Sequence, residues 1–173
     1  MIRWLPSPRG GLLIATVDTP ATANREAARR LVRQALRETL DQQLGEDVTL
    51  IEVLGQPLRL APPHAGIGVS VSHEQGLSLL AIHLAGPVGV DLLALDKIPT
   101  DPEERQRVSI DYLGESISDP QRFAEAWTQQ EASSKCLGQP LAEGMAQVRA
   151  RCLCFDLALP GGHAGSVAIL AER

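Results

Sequence analysis

Apolar residues recur along this chain with two periods, and the switches between them outline its elements. "GLLIATVD" (11–18) is a short run of branched apolar residues and predicts a strand. Between Thr19 and Gly45, Ala28, Leu31, Val32, Ala35, Leu36 and Leu40 return at helical spacing. Polar Thr and Asn precede this stripe and a glycine follows it, so it predicts one amphipathic helix. "DVTLIEVL" (47–54) reads as a strand, followed by a "GQP" turn and a loop "RLAPPHAG". "IGVSVSHEQG" and "LSLLAIHLA" pair as strands around a turn, with "GPVGVDLLAL" continuing their sheet. The second half repeats this grammar. A weak helix and loop run to Pro120, a well-patterned helix spans Gln121 to Cys136 before Gly138 and Pro140, and "ARCLCFDLALP" and "GSVAILAE" close as strands. Two rounds of strand, helix and strands predict an α+β protein with an internal pseudo-repeat.

Composition narrows the class. Hydrophobic residues make up 44% of the 173 positions and aromatics only 3%, so the core is built from Leu, Val, Ile and Ala. Sixteen Lys and Arg against 21 Asp and Glu leave a net charge of -5, which argues against a nucleic-acid or membrane binder. A local basic cluster, "REAARRLVRQALRE", stands out against that balance. No apolar run is long enough for a bilayer and the start lacks a signal-peptide core, so a cytoplasmic protein is expected. Cys136, Cys152 and Cys154 have neither even number nor CxxC spacing, which disfavours a disulfide framework or a zinc site. Cys152 and Cys154 read as small buried hydrophobes.

Three places carry candidate chemistry. His73 ends the alternating "VSVSHEQG" strand, either as a turn histidine or as a hydrogen-bond donor to a phosphate, a base or a metal ligand. Asp91 is a lone carboxylate in the apolar "GPVGVDLLALD"; it either caps a strand end or, in a cleft, offers oxygen to Mg²⁺. In "AWTQQEASSKCLG" (126–138), Trp127, Glu131 and Lys135 share one side of a helix. Alone, that pattern is most simply an exposed ion pair worth about 0.3–0.5 kcal/mol.

Together, a His in "SH", a downstream "GVD" and a helix reading "WTxxEAxxK" resemble the 4'-phosphopantetheinyl transferases, in the surfactin-synthetase-activating form with two substructures per chain. The likeness covers most of residues 24 to 141. It implies the 4'-phosphopantetheinyl transferase fold, a pseudo-twofold pair of similar α+β halves with the active site in the cleft between them. Residues 1–87 would form the half facing the coenzyme A nucleotide, and 88–173 the half carrying the metal and the catalytic helix. The implied reaction moves phosphopantetheine from coenzyme A to a serine of an acyl or peptidyl carrier protein. By resemblance, Asp91 and Glu131 hold Mg²⁺, Glu131 is also the general base, and Lys135 supports the phosphates. His73 and Ser72 lie near the 3'-phosphate, and Arg25, with Arg33, lies near the nucleotide. Trp127 packs, and the protein works as a monomer.

Three positions depart from the family's pattern. Leu93 stands where a second acid follows the "GVD" aspartate, Gln130 replaces a lysine before the glutamate, and Gln56 replaces the lysine of a "GKP" turn. Leu93 leaves two protein carboxylates for the metal. The two glutamines imply less positive charge near a polyanionic substrate, hence weaker coenzyme A binding or altered carrier selectivity. They also leave open a relative that binds coenzyme A or a carrier without efficient turnover.

Overall fold

The computed structural model describes residues 1–20, 24–45, 47–53 and 56–171, apart from the Arg25 side chain. An edge strand β1 (Ile2–Trp4) and β2 (Leu12–Asp18) lead into helix α1 (Arg25–Leu44). Local chemistry sets both ends of α1. The Asn24 side chain accepts the Ala27 N–H, and Gly45 takes the left-handed conformation (φ 72°) that closes the helix onto the Asp41 carbonyl. Ala28, Val32, Ala35, Leu36 and Leu40 are buried as the periodicity predicts, whereas Leu31, at the stripe's margin, is 39% exposed.

The strand expected over 47–54 contracts to β3 (Leu50–Ile51), which pairs with β4 (Arg59–Leu60), two residues of the expected loop. The tip of that turn, at 54–55, lies outside the described residues. β5 (Gly68–Glu74) and β6 (Leu77–His83) form the expected hairpin, turning at Gly76 with φ 83°. The order of the first sheet is β1-β2-β6-β5, all antiparallel. β1 is only three residues long and exposed throughout, too short for the pattern to reveal it.

β7 (Val88–Ala94) does not continue that sheet. It begins a second one, together with helices α2 (Pro102–Leu113) and α3 (Pro120–Cys136) and strands β8 (Cys152–Asp156) and β9 (His163–Leu170), in the order β7-β9-β8. The physical reason lies in β5. The N–H groups of Val90 and Leu92 donate to the Ser70 and Ser72 hydroxyls at 3.1 and 3.2 Å, so side chains replace a backbone ladder along this seam. The two halves share a connectivity. Strand, helix and two further strands give the order β2-β6-β5 in one and β7-β9-β8 in the other.

Leu12, Ile14 and Leu79 of the first sheet meet Val90, Leu92, Val167 and Ile169 of the second in a single apolar cluster. α1 covers the other face of the first sheet through Leu36 and Leu40 on Val69 and Ile82. α3 covers the other face of the second through Ala132 and Cys136 on Ala168. The layers therefore run helix, sheet, sheet, helix, and both helices flank the seam where β5 meets β7.

Candidate active site

Strand alternation decides what faces α3. Val88, Val90 and Leu92 enter the inter-sheet core, so Gly89, Asp91 and Leu93 point to the opposite face. A Cβ at position 89 would stand 1.9 Å from the Ala132 carbonyl oxygen, so glycine is what lets α3 lie this close. Asp119 caps α3 by accepting the Arg122 N–H, and Pro120 opens its first turn. That entry sets the helix phase that turns Glu131 and Lys135 toward Asp91.

Asp91 is 3% exposed, yet it is an ion-paired group. Its Oδ1 accepts from Lys135 Nζ at 2.6 Å and from Ser72 Oγ at 3.0 Å. Lys135 Nζ also donates to the Val90 carbonyl at 3.0 Å and lies 3.3 Å from Ser72 Oγ. The Glu131 carboxyl hydrogen-bonds to Asp91 as well. Burial, then the Asp91 charge and that hydrogen bond, push the Glu131 pKa up from 4.5 to about 8, with Lys135 opposing and Glu74 adding to the rise. Lys135 thus pairs with a carboxylate on strand β7, and the helix-surface reading of the "ExxxK" spacing gives way to a partly buried cross-element cluster. Trp127 packs between Tyr112 and Phe123, with ring centroids 5.5 and 5.6 Å away.

A cavity of about 1380 Å³ opens along the seam between α1 and α3. Small-molecule sites commonly enclose about 300–1,000 Å³, so this one suits an extended ligand. Ser72, His73, Asp91, Glu131 and Lys135 all line it. His73 Nδ1 lies 2.9 Å from Ser78 Oγ. Ser72 is placed with the carboxylates: its hydroxyl orients Asp91 while receiving the Leu92 N–H. The Arg25 side chain lies outside the described residues. Arg33 lines the cavity and pairs with Glu52 at 2.9 Å.

Arg29, Arg59 and Glu74 also line the cavity, and the sequence reading did not single them out. The signal for Arg29 was present, since 25, 29 and 33 follow one another at four-residue spacing on α1. Glu74 forms an ion pair with Lys97 across the seam.

Two of the three departures change meaning. Gln130 is fully buried and absent from the cavity wall; its Nε2 donates to the Met145 carbonyl at 2.8 Å. It faces away from the site, so it removes no charge from a bound polyanion. A Gln130→Lys variant should therefore lose about 3 kcal/mol or more of stability by burying an unpaired ammonium, with no gain in anion binding. Denaturant unfolding and coenzyme A titration check both halves of that statement. Leu93 shares the Asp91 face but packs on the apolar cluster around Leu113 and Phe123. Gln56 does line the cavity, where its Oε1 accepts from Arg59 Nη2 at 3.4 Å, so this position remains one without the expected charge.

No group of three His, Cys, Asp or Glu side chains among the described residues is arranged to hold a metal ion. Mg²⁺ needs fewer, because it commonly takes one or two carboxylates and completes its shell with water and substrate phosphates. Asp91 and Glu131, two adjacent carboxyl groups sharing a hydrogen bond, fit that demand. No helix among the described residues is long and apolar enough to cross a membrane. No protein-family model matches the chain, and no curated protein matches it.

Proposed function

We propose that this chain is a 4'-phosphopantetheinyl transferase that moves phosphopantetheine from coenzyme A to a serine of an acyl or peptidyl carrier protein. The observation that carries the reading is the convergence of Asp91 from β7, Glu131 and Lys135 from α3, and His73 from β5 on one large cavity. The cavity's other wall supplies Arg29, Arg33 and Arg59, donors suited to the phosphates of a nucleotide.

The chemistry follows from these positions. Lys135 and the arginines neutralise phosphate charge and hold the pyrophosphate in line with the incoming hydroxyl. Ser72 keeps Asp91 in one orientation. The carrier serine Oγ attacks the β-phosphorus, its proton passes to Glu131, and the bond to the α-phosphate oxygen breaks to release adenosine 3',5'-bisphosphate. A carboxyl raised to about 8 is a stronger base than an ordinary glutamate, and its ionised fraction, the one that takes the proton, grows as pH rises toward that value. Mg²⁺, held by Asp91 and Glu131, would supply charge neutralisation on the pyrophosphate.

A second reading, a relative that binds coenzyme A or a carrier without efficient turnover, is favoured by the apolar seat of Leu93 and by Gln56. One assay separates them. With coenzyme A, Mg²⁺ and a panel of apo carrier proteins, the transferase adds the phosphopantetheine mass to a carrier and loses that product when Asp91 becomes alanine. Coenzyme A binding without product on any carrier identifies the non-catalytic relative.

A further inference from the structure

Behind the cavity, the end of α3 meets a cluster that the transfer reaction does not use. Cys136, the last residue of α3, is buried and packs against Cys152 and Cys154. Alternation turns Cys152 and Cys154 to one face of β8, and Cys154 pairs in register with Ala168, the residue beneath Cys136. All three cysteines are reduced. The Cys136 and Cys152 thiols share a hydrogen bond, while Cys154 Sγ sits 3.2 Å from Ser133 Oγ. Ser133 acts on both strand thiols, whereas Cys136 is paired with Cys152.

The pair is chemically unequal. The hydrogen bond from Cys136 lowers the Cys152 pKa against the opposing effect of burial, helped by Ser133 and Arg151. The same bond, with burial, pushes the Cys136 thiol up. Cys152 is half-buried and reachable from solvent; Cys136 is 6% exposed. An accessible thiolate beside a buried thiol is the arrangement of an attacking and a resolving cysteine.

We propose that Cys136 and Cys152 form a redox-sensitive disulfide pair that staples residues 137–151 to the end of α3. In the presence of a low-molecular-weight disulfide, the Cys152 thiolate attacks one sulfur, breaking that disulfide and expelling one thiolate. Cys136, losing its proton to the solvent, then attacks the Cys152 sulfur and displaces the second thiolate. Two cysteines are oxidised by two electrons, and the small disulfide is reduced to two thiols. The bridge acts on the cavity because Cys136 lines it next to Lys135, and because the stapled segment brings Leu137, Gly138, Gln139 and Pro140 to the same wall.

The bridge itself is independent of the proposed reaction; only its effect on coenzyme A rests on that reading. The test treats the full chain with oxidised glutathione, alkylates the remaining thiols and maps the peptides. The expected product has lost two hydrogens, links Cys136 to Cys152, leaves Cys154 alkylated and reverts with dithiothreitol. Cys152→Ser should abolish the link, Cys154→Ser should preserve it, and the bridged protein should unfold at a higher temperature than the reduced one. A glutathione adduct that never resolves, a bridge through Cys154, an intermolecular bridge or three unreacted thiols would each overturn the pair. Bridging should also weaken coenzyme A binding about fivefold or more, the scale of an ordinary coupling between sites. Equal affinity in both forms would sink the link to the cavity. No binding in either form would remove the coenzyme A reading and leave the bridge standing.

Discussion

Replacing Glu131 with glutamine should stop phosphopantetheine transfer and, at alkaline pH, make the protein more stable. The first effect follows from losing the proposed proton acceptor, with a fall of at least about 10²-fold in the single-turnover rate. The second follows from linkage. Glu131 titrates at 4.5 when unfolded and at about 8 when folded, so the native state binds the extra proton. Below pH 4.5 the group is protonated in both states and contributes no difference. Across the window from 4.5 to about 8 the unfolded chain releases its proton while the native one retains it, and the native state loses stability as pH rises. Above that window the full cost of ionising a buried carboxyl beside Asp91 is present, on the order of a few kcal/mol. Glutamine removes that cost and can still hydrogen-bond to Asp91. Denaturant midpoints without divalent cations should therefore coincide for the two proteins at pH 4 and separate in favour of the variant at pH 9. A variant that is less stable at both pH values would contradict the proton-sharing arrangement.

Among the described glycines, Gly89→Ala should have the largest effect on folding. Its Cβ would meet the Ala132 carbonyl oxygen at 1.9 Å and the Cys136 amide nitrogen at 2.5 Å, both backbone atoms of α3. No rotamer change relieves such a contact; the helix must move off β7. Overpacking costs about 1–3 kcal/mol where side chains can yield, so a backbone collision should cost at least the upper end of that range. Any folded fraction should also show a disturbed site, because the same helix carries Glu131 and Lys135. Gly161→Ala is the matched control. Nothing lies within 4 Å of its new Cβ, and its midpoint should remain near that of the parent.

The periodicity exposed the elements that bury an apolar face. α1, α3, β2, β5, β6 and β9 all appear close to their expected places, because each has Leu, Val, Ile or Ala at its own period; β8 does too, with Cys152, Cys154 and Phe155 as its partly buried residues. β1 is exposed along its whole length, and β3 and β4 are two residues each, so none of these carries a pattern to read. The break between the sheets was hidden for another reason. β7 looks like a buried strand whichever sheet it joins, and only its neighbours reveal that Ser70 and Ser72 hydroxyls occupy its amide groups. Asp91, Glu131, Lys135 and His73, which the family resemblance singled out, do line one cavity. The Lys135–Asp91 bond was not legible in the sequence, because helical spacing favoured pairing Lys135 with Glu131. Gln130 shows the same limit from the other side: its neighbour in sequence faces the cavity, yet one residue on a helix is a turn of roughly 100° away.

The repeated strand order has a consequence for how this chain divides its labour. Asp91 is the fourth residue of β7, and the fourth residue of the matching strand β2 is Ala15. Ala15 also points at its helix, and it packs there with Val32 and Ala35 in a fully apolar contact. The same structural slot is thus filled by a methyl group in one half and by an ion-paired carboxylate in the other. The N-terminal half keeps a hydrocarbon joint with no titratable group in it. The C-terminal half places the Asp91–Lys135 ion pair at the corresponding point, while Ala132 and Cys136 beside it keep α3 on the sheet. A chain with two copies of the layout can thus keep one helix-to-sheet contact purely apolar while the matching contact accommodates charge.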